Sequence, residues 1–173
     1  MNRRRHAIVL VGHGGIPTDC PRELVMRLKR LESQRRPTGV PPSIEELELE
    51  RQIRHWPRTP ETDPYKSGLE DLAACWRTRL NGVLFALAYN EYCTPTLEEA
   101  VEEVVTAGAA HVTVVSTMFT PGGSHSEIEI PATLATLRIR HPGIHLQYAW
   151  PFDLDLVAGM LTQHVRRFLE SEG

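Results

Sequence analysis

No apolar run in the chain approaches the length needed to cross a bilayer, which argues against a spanning helix and a membrane partner. Cysteine is scarce: Cys20, Cys75 and Cys93 form neither a Cys-x-x-Cys pair nor an even set, and the setting they imply is reducing, that of the cytoplasm. Positive charge is not in surplus either. A net charge of -3 offers no cationic footprint for a phosphate backbone, so nucleic acid is not an expected partner. The cluster Arg3, Arg4, Arg5 resembles the charged start of a secretory leader, but the apolar run behind it, Ala7 to Val11, is too short for one. With 41% hydrophobic and 24% charged residues over 173 positions, the composition is that of one globular domain, residues 1–173, able to bury a core without disulfides or a structural metal.

What is present is a βα alternation. Ala7 to Val11 is wholly apolar and β-branched and ends in Gly12, His13, Gly14, Gly15, the pattern of a strand buried on both faces. Similar runs recur at Gly82 to Ala88, His111 to Val115 and Ile144 to Trp150. A Thr96-x-x-Glu99 capping pattern opens a helix striped with Leu97, Ala100, Val101, Val104 and Val105, and Gly108 ends it. The last helix carries Leu154, Val157, Ala158, Leu161, Val165 and Phe168 at spacings of three and four, with Arg166, Arg167 and Glu170 outward; its apolar face is expected to pack on the sheet. Helices between strands force parallel pairing through right-handed crossovers, so the fold class is α/β, a parallel sheet with helices on both faces.

The stretch from Ile16 to Asn81 is longer than a plain crossover needs, and it reads as a mainly helical insert over about 16–81. Glu23 to Arg36 and Ser43 to His55 have helical patterns, joined by Pro37 to Pro42. Prolines between Trp56 and Tyr65 argue against regular structure there, and Gly68 to Arg79 is helical again. The insert leaves the first strand directly after His13, so its roots lie beside whatever His13 does; one expectation is a wall over that site, with Trp56 and Tyr65 as flat surface and Arg22, Arg54 or Arg58 facing an anionic ligand. A dimerisation or purely structural insert is the alternative.

Chemistry concentrates at strand ends. His13 follows the first strand, and His125 sits in the Gly-rich loop Thr120, Pro121, Gly122, Gly123, Ser124 after the third. Parallel strands put both loops on one edge, the carboxyl edge where ligands of open α/β sheets bind, so two histidines distant in sequence can converge across one crevice. Glycine on both sides of His13 lets backbone approach a ligand, and Ser124-x-x-Glu127 or Ser126-x-x-Glu129 could start a helix whose N–H groups favour anions. Glu91 follows the second strand at the same edge as a proton acceptor or a holder of a hydrated cation, against the reading of a solvated turn acid. Cys93 beside it reads as a small buried filler. Glu129 lies four residues after His125, one helical turn, as a metal-ligand pair or a charged surface would. For His6, His55, His111, His141, His145 and His164 a structural or solvent-exposed role is favoured.

Three motifs together resemble a family: the GHGG of Gly12 to Gly15 after an apolar strand, Glu91 four residues before Pro95, and GSHSEIEIP from Gly123 to Pro131. Their order and spacing are similar to the short sirohydrochlorin chelatases of the CbiX type, class II chelatases related in fold to ferrochelatases. The likeness spans Ala7 to His13 and Val83 onward; the insert has no counterpart in the shortest members, and Thr94 stands where an acid often precedes the proline. The resemblance implies a chelatase-like, flavodoxin-like fold and insertion of Co²⁺ or Fe²⁺ into sirohydrochlorin or a related tetrapyrrole, in cobalamin or sirohaem biosynthesis. It implies His13 and His125 as metal ligands, one of them accepting pyrrole protons, with Glu91 as a further acid. Gly12, Gly14, Thr94, Thr120, Pro121, Gly122, Gly123, Ser124 and Glu129 would line the tetrapyrrole pocket. The divalent ion, Co²⁺, Fe²⁺ or Ni²⁺, is then substrate and no cofactor is permanently bound; a homodimer is an expected partner state, since one short domain supplies half of a two-lobed cleft. Imidazole suits the task because it both ligates these ions and accepts protons, and two N–H protons must leave the macrocycle.

Other readings stay open at this level. Histidine phosphatases also place His-Gly after a first strand, but their motif has an arginine before the histidine and here Gly12 stands there. A metal-dependent hydrolase on His13, His125 and Glu129 would hold zinc through purification. A metal or tetrapyrrole carrier would use the same site without turnover.

Overall fold

The computed structural model describes residues 5–169. Arg3, Arg4 and Glu170, named above, lie outside the described residues. Four parallel strands, β1 (Arg5–Gly12), β2 (Leu84–Tyr89), β3 (Ala109–Ser116) and β4 (His145–Tyr148), form one sheet in the order β2-β1-β3-β4. The strands lie within a residue or two of the apolar runs that announced them, because central positions buried on both sides must be apolar throughout. Val9 and Val11 of β1 and Val112 and Val114 of β3 are fully buried.

Among the described residues six α-helices accompany the sheet: α1 (Arg22–Arg35), α2 (Ile44–Arg54), α3 (Pro64–Arg77), α4 (Leu97–Thr106), α5 (Ile130–Arg140) and α6 (Leu154–Leu169). On one face α4 and α5 close the main core, in which Leu97, Ala100, Val101 and Val104 of α4 and Leu134 and Leu137 of α5 meet Ala7, Val9, Val11, Ala86 and Ala88. Thr96 and Glu99 form the reciprocal capping box that their spacing predicts. On the opposite face Leu69 and Ala73 of α3 pack with Leu10, Tyr89 and Cys93, so Cys93 is the buried filler its small size suggested. The architecture is the α/β parallel sheet with helices on both faces read from the alternation.

Three details depart from the sequence reading. Helix α3 begins at Pro64, not at Gly68, because the Asp63 side chain accepts a hydrogen bond from the Lys66 N–H at 3.0 Å and proline, lacking an N–H, is suited to the first turn. The turn from His125 to Glu129 is a π-helical start to α5 without a side-chain cap; instead of serving a serine box, Glu127 accepts from the Gly122 N–H at 3.0 Å. The third concerns α6, which buries no residue and does not pack on this chain's sheet. Its periodicity specifies that an apolar face needs cover, not which surface covers it.

Within 16–63, α1 and α2 lie side by side over a small core of their own, Cys20, Leu28, Leu49 and Ile53, flanked by Ile16, Leu24, Val25, Leu31, Trp56 and Tyr92. Trp56 is therefore packing, half-buried among aliphatic side chains, rather than an open platform. No helix among the described residues is long and apolar enough to cross a membrane.

Candidate metal centre

The loops after β1, β2 and β3 leave three neighbouring parallel strands at one edge, so proximity of their residues follows from strand order alone. Backbone bonds continue the ladder past the strand ends: the Asn90 N–H donates to Gly12 O at 2.9 Å and the Glu91 N–H to His13 O at 2.8 Å. Gly14 sits between them at φ +91°, and a Cβ there would stand 1.9 Å from the Glu91 carbonyl oxygen. Only glycine admits both the left-handed conformation and this approach. Gly12 is similarly confined, a Cβ there meeting Leu69 Cδ2 at 2.3 Å.

The loops bring His13, Glu91 and His125 together, each half-buried, with one ligand atom from each lying within 4.8 Å of the others. The two Nε2 atoms are 3.2 Å apart and the rings meet edge to face with centroids at 4.7 Å. Glu91 Oε1 lies 3.9 Å from His125 Nε2. Two imidazole nitrogens bound to one metal ion at about 2.1 Å, at angles near 100°, stand about 3.2 Å from each other, so the observed separation is that of a ligand pair.

The remaining ring nitrogens say which way the lone pairs point. His13 Nδ1 is 2.8 Å from Gly14 O, and a carbonyl oxygen can only accept, so Nδ1 carries the proton and Nε2 presents its lone pair. His125 Nδ1 is 2.9 Å from Glu129 Oε2, a carboxylate oxygen able to accept its proton. Asn90 Nδ2 lies 2.8 Å from both Glu129 Oε2 and His125 Nδ1, and its amide N–H donates to the carboxylate. Burial alone would raise the Glu129 carboxyl; hydrogen bonds from His125 and Asn90, with the charge of His125, outweigh that and hold it below the ordinary carboxylate range. The two Nε2 atoms face one another over 3.2 Å, an arrangement that a proton or a cation between them satisfies.

The other sequence candidates fall as follows. Thr94 lies in a cavity of about 430 Å³ that Asn90, Glu129 and Arg54 also line, between α2 and the starts of α4 and α5. Thr120, Pro121, Gly122, Gly123 and Ser124 form an exposed loop leading into His125, with Gly122 at φ +94°. The expectation that Arg58 faces a ligand is corrected, whereas Arg54 lines the cavity shared by Thr94 and Glu129. Arg58 is 7% exposed, ion-paired with buried Asp63, and donates to the carbonyls of Gly15 at 2.8 Å, Ile53 at 3.3 Å and Tyr92. It fastens the β1 loop, α2 and the Glu91–Cys93 turn to one another, in which Tyr92 takes φ +52°. Arg54 donates to Cys93 O at 3.0 Å, Asn90 O at 3.4 Å and Glu50 Oε1 at 2.9 Å. Uncapped carbonyls of an irregular turn need donors, and these guanidinium groups supply them. Tyr65 is 42% exposed, yet its hydroxyl accepts the His13 N–H at 2.7 Å.

Sequence reasoning passed over Asn90, and it named Tyr65 as flat surface of a wall over the site rather than as a hydrogen-bond partner of His13. Asn90 ends an apolar strand directly before Glu91, a polar residue where burial would favour an apolar one, and that mismatch was its available signal. Nothing in the pattern around Tyr65 pointed to a hydrogen bond with the His13 N–H, 52 residues away.

Solved structures share the fold. A putative cobalamin biosynthesis CbiX protein from Marinobacter aquaeolei superposes with a TM-score of 0.57 at 19% identity, over 97% of this chain and 98% of that one. The sirohydrochlorin chelatase SirB from Bacillus subtilis subspecies spizizenii, in complex with cobalt, gives a TM-score of 0.53 at 19% identity over 85% of this chain, and SirB from Bacillus subtilis with Fe³⁺ gives 0.50 at 18% over 89%. The chain spans less than half the length of the SirB structures, 43% and 44%. No curated protein is similar to it in sequence at a significant level. The CbiX family model matches residues 61–167, a span that includes Glu91 and His125 and begins after β1, His13, α1 and α2. By that match over more than half its length, the chain belongs to the CbiX family.

Proposed function

We propose that the protein is a chelatase that inserts a divalent metal ion, Co²⁺ or Fe²⁺, into sirohydrochlorin or a closely related tetrapyrrole, in cobalamin or sirohaem biosynthesis. The observation that carries this reading is the pair of Nε2 atoms 3.2 Å apart with the Glu91 carboxylate beside them. Family membership supports it, as do the structural neighbours, a sirohydrochlorin chelatase in complex with cobalt and SirB with Fe³⁺.

In this reading His13 and His125 take the incoming ion through Nε2, and Glu91 offsets its charge and helps shed its water. Two imidazoles and one carboxylate leave coordination positions for the macrocycle nitrogens, so the ion passes through as substrate and no metal stays as a cofactor. Once the ion has moved to the macrocycle, the freed Nε2 atoms stand where the two displaced pyrrole protons must go. The Glu129 carboxylate, hydrogen-bonded to His125 Nδ1, stabilises the imidazolium that results. Gly12 and Gly14 keep the floor of the crevice low, and the exposed Thr120–Ser124 loop offers backbone N–H groups to the substrate's carboxylates. The free cysteines accord with a cytoplasmic setting.

The test is anaerobic mixing of metal-stripped protein with excess Co²⁺ or Fe²⁺ and sirohydrochlorin, followed by absorbance. Many equivalents of metallated product per protein support the reading. One equivalent would make the protein a carrier, and zinc retained with ester hydrolysis would make it a hydrolase; either result overturns the proposal.

A further inference from the structure

Most cations of the α1–α3 region are engaged within it. Arg27, Arg35, Arg51, Arg54, Arg58 and Lys66 each lie against a carboxylate of the same region. Lys29 of α1 and Arg36, which caps that helix, differ: among the described residues neither side chain makes an ion pair or a hydrogen bond. They stand about two helical turns apart on one side of α1 and both line a cavity of about 480 Å³, which Ser33, Glu32 and Tyr92 complete. Arg22 and Arg30 are unpaired too, but neither reaches this lining.

The cavity adjoins the metal centre. Tyr92 follows Glu91 directly, in the turn that Arg58 fastens by donating to Tyr92 O, and its ring packs beside the α1–α2 core. The charge of Glu91 bears on both Glu32 and Tyr92, and so does that of Arg36. An ion that leaves His13, His125 and Glu91 for a macrocycle sits at the centre of that macrocycle, so the rim must extend over the walls around Glu91. The α1 flank is one of those walls. Its single acid is no obstacle to an anion: burial raises the Glu32 carboxyl against the pull of Arg36, and Glu46, Glu50 and Glu91 raise it further, so it stands neutral more readily than an ordinary carboxyl.

Building on the chelatase reading, we propose that this cavity holds peripheral carboxylates of the tetrapyrrole, with Lys29 and Arg36 each taking one through a charge-assisted contact and Ser33 donating its hydroxyl. The sequence pointed to Arg54 and Arg58 for this task, and the fold leaves it to two other cations. The consequence is selectivity. A macrocycle with acetate and propionate arms gains these contacts, and one with an apolar rim at that place gains nothing.

The test uses the full chain, stripped of metal, and metal-free sirohydrochlorin, with binding followed anaerobically by quenching of tryptophan fluorescence. Lys29→Ala with Arg36→Ala should weaken binding by about tenfold or more, since contacts to charged groups are lost. The Michaelis constant for the macrocycle should rise in step, while kcat, Co²⁺ affinity and melting temperature stay as in the wild type. Lys29→Arg with Arg36→Lys should recover most of the affinity. Inorganic phosphate at matched ionic strength should not displace the macrocycle; displacement would make the cavity a site for a small free anion and overturn the proposal. Equal affinity in the alanine variant and the wild type, with metal insertion intact, would overturn the subsite and leave the chelatase reading standing. A wild-type protein that neither binds nor metallates sirohydrochlorin would overturn both.

Discussion

The Nε2 atoms of His13 and His125 stand 3.2 Å apart although 112 residues separate them in sequence. Each ring is oriented from behind, His13 by Gly14 O and His125 by Glu129, so the pair is set before any ion arrives. His13→Ala or His125→Ala should therefore lower metal insertion by at least about a hundredfold while the melting temperature barely moves, since both residues belong to loops outside the core. Near-normal turnover in the double variant would remove the site from the chemistry.

Asn90 and Glu129 act on His125 without reaching the metal position themselves. Asn90→Ala and Glu129→Gln should each weaken metal affinity or turnover by about 10–100-fold, with the tetrapyrrole Michaelis constant little changed. Titration with Co²⁺ followed by steady-state kinetics separates the two effects. An unchanged affinity in both variants would reduce the Asn90–Glu129–His125 network to surface structure.

Gly14 should tolerate no side chain. Gly14→Ala costs about 1–2 kcal/mol for the left-handed backbone alone, and the clash with Glu91 O adds to it by pushing the Glu91 turn away from the histidines. The variant is expected to melt several degrees lower and to insert metal poorly. Full activity in Gly14→Ala would mean that the two loops part freely.

Arg58 contributes through stability. Its removal strands Asp63, 4% exposed, without its counter-charge, and breaking a buried pair of this kind costs about 3–5 kcal/mol. For a chain of this length that is a drop on the order of 10 °C in melting temperature, readable by calorimetry for Arg58→Ala. A change in the tetrapyrrole Michaelis constant without loss of stability would restore Arg58 as a substrate contact.

Glu102 joins α4 to the end of α5, its carboxylate 2.9 Å from His141 Nε2. The hydrogen bond from His141, together with charge from His141 and Arg140, holds its carboxyl below the ordinary value of 4.5. A carboxyl depressed on folding stabilises the folded state above its unfolded value, and the gain is lost as pH falls through its folded value. Glu102→Gln should thus lower the melting temperature at neutral pH by a small amount, and the difference should shrink as pH falls below the ordinary carboxylate value. An equal loss at neutral and acid pH would show the effect to be packing.

Strand positions, parallel pairing, the capped α4 and the placing of His13, Glu91 and His125 at one edge were all legible in the sequence, because each follows from local composition or strand order. Apolar runs must lie in the core, glycine must occupy the left-handed turns, and parallel strands must present their loops together. Only tertiary structure decided the rest. Arg58 looked like a ligand contact because a guanidinium suits a carboxylate of any origin; the fold supplies that partner internally, with Asp63 and the open carbonyls of Gly15, Ile53 and Tyr92. Asn90 and Tyr65 acquire their places beside the histidines through bonds to residues far along the chain, which no local pattern encodes. The periodicity of α6 fixes an apolar face, but a face is half of a contact, and nothing in the spacing of one helix encodes the surface that covers it.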